Sequence, residues 1–248
     1  MRLRSKLLLV LFVSAAAIAP AQQGRETPPT YAGPFTLVPG VFVTPIAGAP
    51  FSATVMIKSE QPLADGTVAT QVSQTRIARD SQGRIRNERH MMVPEGAQGM
   101  PPLISVHVFD PATRISYFFN PATMLARKQV VPTPQPDRAA PGVRQNLGDA
   151  TLNGMQVRGT RNTFTVPARV SGTGKPVTVT DEVWYSEDLH MNLLEEHTDV
   201  RGGKQTVAIL SIQRDEPAPA LFEVPAGYKI VDMTPPQNAP IAAPGAGH

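Results

Sequence analysis

DPATRISYFFNPATMLARK, Asp110–Lys128, writes nearly the same four residues twice, ten positions apart. Turn chemistry explains the repeat. Asp110 follows the apolar run LISVHVF, and Asn120 follows RISYFF. An Asp or Asn at the first turn position accepts a hydrogen bond from the backbone two residues on, and the following Pro presets φ for the second position. The two copies therefore bracket one short strand in a meander of three antiparallel strands, with MLARKQV (Met124–Val130) as the return. Two copies are too few for a solenoid.

The same grammar extends in both directions. FSATVMIKSE alternates, with Phe51, Ala53, Val55 and Ile57 on one face, which is the period-two signature of a strand. Asp65-Gly66 and DSQG (Asp80–Gly83) then close hairpins around a long strand, TVATQVSQTRIAR. RIRNERH (Arg84–His90) is a very polar strand. It reads either as an edge strand protected by charge or as part of a basic strip of Arg76, Arg79, Arg84, Arg86 and Arg89 that meets an anionic partner.

VPTPQPDRAAPGVRQ, residues 131–145, is rich in Pro and has no periodicity, so it reads as a loop between two blocks of strands. The second block opens at Leu147, turns at Asn153-Gly154, and continues through TFTVPARV, GKPVTVTDEVWYS, HMNLLEEHTDV and QTVAILSIQ. Trp184 falls on the face opposite Val183 and Tyr185, placed to cover a neighbouring element or a ligand. EPAPALFEV is the one stretch that reads as a helical turn. The expectation is a mostly β protein of ten or eleven strands with few or no helices. Two separate sandwiches are the other arrangement compatible with the blocks.

The ends read differently. Arg2, Arg4 and Lys6 precede an uncharged apolar run and a small-residue cleavage pattern at Ala19-Pro20-Ala21, the pattern of a signal peptide over residues 1–21. A proline-rich arm is expected at 22–50, with a short edge strand at LVPGVFV, the β domain at 51–230 (blocks 51–130 and 146–230), and a flexible tail at 231–248. The periplasm or secretion is the expected location. Of 23 Lys and Arg, three lie in the leader, which leaves 20 against 20 acidic residues and makes the pI near 9.4 largely a property of that segment. Charge gives no reason to expect nucleic acid as partner.

There is no cysteine, so disulfides, thiol catalysis and cysteine metal sites are excluded. No G-x-S-x-G elbow, P-loop or dinucleotide fingerprint is present. Ser186, Asp188 and His190 are close in sequence, but spacing in a strand does not build a triad. His90 and His107, with Glu88, are a weak metal candidate because ligand number and spacing are missing. The expectation is a protein without catalytic, cofactor or metal residues.

The run "LNGMQVRGTR … DEVWYSEDLHMNLLEEHTDVRGGKQTVAILSI … PAPALFEVPAGY" resembles the closing half of the periplasmic lipoprotein-carrier superfamily and its lipoprotein-sensing relatives. Trp184, Leu193, Gly202 or Gly203, and Phe222-Glu223-Val224-Pro225 follow that group's order. DSQGR (Asp80–Arg84) and YFFNPAT (Tyr117–Thr123) resemble its first half. The chain also resembles uncharacterised exported proteins of soil acidobacteria. The resemblance implies a single strongly curved antiparallel sheet, an incomplete barrel whose concave face takes lipid or acyl chains. It leaves the arm at 22–50 or the loop at 131–145 to act as lid. On that basis the expected groove comprises Val55, Ile57, Ile104, Val106, Val108, Tyr117 and Val179, with lipid, lipoprotein or another envelope protein as partner. A closed core serving a structural or interaction role is the competing expectation, since alternating strands ordinarily bury such residues against one another.

Overall fold

Both DPAT and NPAT form hairpin turns in the computed structural model of the protein, which describes residues 43–132 and 142–234. Asp110 Oδ1 accepts from the Ala112 N–H, and Asn120 Oδ1 from the Ala122 N–H, each at 2.8 Å. Each turn closes one residue later than the repeat, at Arg114 (φ 59°) and Met124 (φ 52°). A left-handed residue at that position returns the chain into the partner strand.

The strands of the first block are β1 (Phe51–Pro62), β2 (Val68–Arg79), β3 (Ile85–His90), the two-residue β4 (Val93–Pro94), β5 (Leu103–Asp110), β6 (Ile115–Asn120) and β7 (Leu125–Val130). The second block holds β8 (Val143–Leu152), β9 (Met155–Val166), the single-turn helix α1 (Ala168–Ser171), β10 (Val177–Ser186), β11 (Met191–Asp199) and β12 (Gly203–Gln213). A 3-10 turn (Pro219–Phe222) and β13 (Lys229–Asp232) follow. Strand β8 starts at Val143, inside the stretch expected as loop. The Asn153-Gly154 turn between β8 and β9 has φ of 50° and 75°, the paired positive angles of a type I′ hairpin.

The two blocks form one sheet. Its order is β13-β7-β6-β5-β3-β2-β1-β12-β11-β10-β9-β8, with β4 beside β2. The seam is the antiparallel pair β1–β12, running from Ser52 opposite Gln213 to Glu60 opposite Lys204. This pairing excludes two separate sandwiches. All pairs are antiparallel except β13–β7, which is parallel. The end strands β13 and β8 do not pair, so the sheet stays an incomplete barrel. Register shifts at Thr54/Val55, Arg89/His90, Asn146/Gly148 and Trp184/Tyr185 supply bulges, which bend and twist strands.

Strand β13 carries regular structure to Asp232, past the boundary expected at 230, and the Met233 N–H then donates to the Lys128 carbonyl at 2.7 Å. The segments expected as signal peptide and arm, up to residue 42, residues 133–141 and the expected tail from 235 lie outside the described residues, as does LVPGVFV apart from its last valine. That valine, Val43, bridges to Met191. All described residues belong to one compact unit.

Directly paired residues share a face, so register decides what lies inside. Val55 and Ile57 pair with Thr75 and Ser73 on one side and with Ile209 and Val207 on the other. Phe51, Ile77, Ile85 and Phe109 extend this inner cluster. The outer face carries a second cluster of Ala78, Val106, Val108, Phe119 and Ala126, capped by Phe222 of the 3-10 turn.

Candidate functional site

The inner face is apolar at its centre and polar on both flanks. At the centre, Val55, Ile57, Leu193, Val207 and Ile209 are all buried. No residue of either helical turn belongs to this cluster. Towards β5 the surface turns polar, because the pairings Ile77–Asn87–His107–Phe118 run a row of mixed residues across the sheet. His107 Nε2 and Ser116 Oγ share a 2.6 Å hydrogen bond, and the imidazole stacks on Phe118 with centroids 4.1 Å apart. Burial lowers the His107 pKa to about 4, so the ring is neutral at physiological pH. Thr75 Oγ1 donates to the Glu88 carbonyl.

Two polar residues of the inner face stand out, Asn87 opposite Ile77 and Ser73 opposite Ile57. Asn87 is 1% exposed and Ser73 3%, yet among the described residues neither amide atom of Asn87 nor the Ser73 hydroxyl has a hydrogen-bond partner. An unpaired buried polar group costs about 1–3 kcal/mol. Such groups mark a place where a water or a ligand's polar group belongs.

On the other flank, Glu195 sits opposite Val207 and Val183. Burial pushes its pKa up to about 7, against a 2.6 Å hydrogen bond from Asn192 Nδ2 that acts the other way; the nearby Asp181 charge adds a smaller rise. Asp181 itself meets His197 Nδ1 at 2.6 Å on the exposed rim.

The expected groove residues divide between the two faces. Val55, Ile57 and Val179 lie on the inner face, while Val106, Val108 and Tyr117 lie on the outer one, in or against the cluster under Phe222. Ile104 is the unpaired residue at the β3–β5 bulge, between Ser105 opposite Arg89 and Leu103 opposite His90. Asn87, Ser73 and Glu195 were not singled out by the sequence; polar residues at alternating positions look solvated until pairing puts them inside.

The arginines divide as well. Arg79 is fully buried, and its guanidinium donates to the carbonyls of Ala49 (2.9 Å), Thr44 (2.7 Å) and Leu189 (2.8 Å) while lying over Phe51. It is a strut between β2 and the chain before β1, and no external anion reaches it. Arg84 bonds Asp80 at 2.6 Å, and Arg86 bonds Glu88 and the Leu221 carbonyl at 3.0 Å each. Arg76 and Arg89 are exposed on opposite faces. Strand β3 is no edge, because β2 and β5 flank it. Its outer polar groups bond one another instead, Glu88 meeting Arg86 at 3.0 Å and His90 at 3.2 Å.

Trp184 pairs with Gly159, and a Cβ at Gly159 would come within 2.8 Å of the indole ring. The ring lies over the glycine, and its N–H donates to Glu182 at 2.9 Å. This tryptophan covers a neighbouring strand. Ser186 Oγ is buried without a partner among the described residues, whereas His190 Nδ1 lies 3.4 Å from the Tyr185 hydroxyl, so Ser186 and His190 form no dyad. His90 bonds Glu88 on the outer face and His107 points inward, which separates the weak metal candidates. Among the described residues no group of three metal-ligating side chains gathers, and no helix is long and apolar enough to cross a membrane.

No protein-family model and no curated protein matches the sequence. Solved structures do resemble the fold. A conserved protein of Thermus thermophilus has a TM-score of 0.41 at 13% identity, covering 74% of this chain and 90% of that one. A chain of the Pseudomonas aeruginosa MucA/MucB complex has 0.38 at 11%, covering 73% of this chain and 58% of its own length. LprF from Mycobacterium bovis has 0.27 at 10%, with 69% and 90% covered. The present chain thus spans somewhat over half of the MucA/MucB-complex chain.

Proposed function

We propose that the protein is a non-catalytic envelope protein that binds an amphiphile, an acyl chain carrying a polar linkage, on the inner face of its curved sheet. The observation that carries this reading is the pairing of an apolar inner surface (Val55, Ile57, Val207, Ile209) with buried polar groups left without partners at Asn87 and Ser73. The apolar part gains roughly 25 cal/mol for each Å² of ligand surface removed from water. The amide of Asn87 has a free donor and a free acceptor for an ester or amide. The sequence resemblance to lipoprotein carriers points to the same face.

A closed core is the second reading, and one observation favours it: Val55 is 0% exposed. Asn87→Leu separates the two. In an amphiphile-binding protein it raises thermal stability, by removing the orphan amide, and lowers the acyl-bound fraction seen by native mass spectrometry after purification from the envelope. In a closed core it raises stability alone, and no acyl mass accompanies the wild-type chain. The latter result overturns the proposal.

A further inference from the structure

The outer face holds a cavity unrelated to the amphiphile site. It measures about 270 Å³ and lies across β12, β1, β2 and β3, with Leu221 of the 3-10 turn at its rim. That volume is near the lower end for ligand pockets, roughly 300 Å³ and above. Its floor follows from register. The β12 bulge at Leu210 brings Ser211 opposite Thr54, and Thr54 in turn pairs with Arg76. One row further, Gln213, Ser52 and Ala78 lead to Arg86. The small Ala78, opposite Arg86 and two residues along β2 from Arg76, leaves the depth.

The chemistry of the lining is one-sided. Ser52, Thr54 and Ser211 present hydroxyls that can donate, and two guanidinium groups flank them. Arg86 is held in place by the Leu221 carbonyl and by Glu88, and it sits 5.8 Å above the Phe119 ring. The one carboxylate in the lining, Glu88, is engaged by both Arg86 and His90. Arg76 has no hydrogen-bond or ion-pair partner among the described residues, and its charge is left over. A planar fork of N–H donors beside fixed hydroxyls suits an oxyanion.

We infer that this outer cavity is a binding site for a phosphate group, with Arg76 as its principal ligand, Arg86 as the pre-oriented second cation, and the hydroxyls of Ser52, Thr54 and Ser211 completing the shell. A phospholipid headgroup and a soluble phosphoester share this chemistry. Isothermal titration with inorganic phosphate at low salt tests the site, with thermal unfolding as the fold check. Saturable binding is expected, weakened at least tenfold by Arg76→Gln and unchanged by Arg169→Gln, which removes an exposed charge elsewhere. Sedimentation with phosphatidylglycerol vesicles, against phosphatidylcholine, then identifies the source: Arg76-dependent retention that phosphate competes away assigns a headgroup, and phosphate binding without retention assigns a soluble phosphoester. Absence of saturable phosphate binding, or equal loss in Arg76→Gln and Arg169→Gln, overturns the inference.

Discussion

Replacing Arg79 by Met keeps most of the side-chain volume and removes the charge. Three hydrogen bonds at 2.7–2.9 Å disappear, and three buried carbonyls, of Ala49, Thr44 and Leu189, lose their donor. Hydrogen bonds to a charged group contribute about 1.5–3 kcal/mol each, an upper bound of roughly 5–9 kcal/mol for the set. Part of that is offset, because burying the guanidinium is itself costly; the same burial lowers its pKa to about 10. A net loss of about 3–5 kcal/mol is expected, the range for breaking a buried charged network. Urea denaturation followed by Trp184 fluorescence measures it. Hydrogen exchange should show faster exchange at Ile46 and Gly48, whose N–H groups bond Thr44 and Ser81 in this segment. Arg79→Lys should recover only a minor part, since one ammonium cannot serve three divergent carbonyls. A loss below about 1 kcal/mol with exchange at Gly48 unchanged would refute the strut, because one uncapped buried carbonyl alone costs that much.

Glu195 gives stability a pH dependence with a definite sign. Its folded pKa near 7 exceeds the ordinary 4.5, so between these values the folded chain retains a proton that the unfolded chain has lost, and stability falls as pH rises from about 4.5 to 7. Glu195→Gln should flatten that slope and gain on the order of 2 kcal/mol at pH 8, allowing for partial solvent screening; identical slopes in denaturation curves across this range would contradict it. Gly203→Ala should cost at least about 2 kcal/mol, because φ is +89° and the new Cβ would overlap the Glu60 carbonyl oxygen at the seam of the two blocks. A midpoint shift in urea within error of wild type would count against that close approach. Asn120→Ala should cost about 0.5–1.5 kcal/mol through loss of the bond to Ala122, and Asp110→Ala more, because its carboxylate also accepts from the Thr113 hydroxyl at 2.9 Å; equal costs for the two would show that the Thr113 bond contributes nothing.

Strand content was legible wherever one face is wetter than the other. Alternation gives β1, and the Asx-Pro and Asn-Gly turns give β5–β6–β7 and β8–β9, because the relevant physics is local. Pairing is not local. Nothing in FSATVMIKSE says that its partner is QTVAILSIQ, about 150 residues on, rather than a neighbour. The same gap explains the divided groove residues: Val55 and Val106 look alike, and only the register through β2 and β3 puts them on opposite faces. It also explains Arg79, whose acceptors are backbone carbonyls invisible in sequence, and β3, whose charges suggested an edge. Strand β13 was missed because KIVD is short, exposed and parallel to β7, and four residues carry too little pattern.

That last strand has a consequence for biosynthesis. Strand β7 pairs with β6 on one side and with Lys229–Asp232 on the other, so residues 125–128 wait for a segment about a hundred positions downstream. The central strand β1 likewise waits for β12. At roughly 5–20 residues per second of translation, the first half is exposed for several seconds with two unpaired borders. Such borders are templates for intermolecular pairing. The nascent chain is therefore most vulnerable until β13 emerges, and truncations that stop short of Lys229 should aggregate even though they retain every strand of the seam.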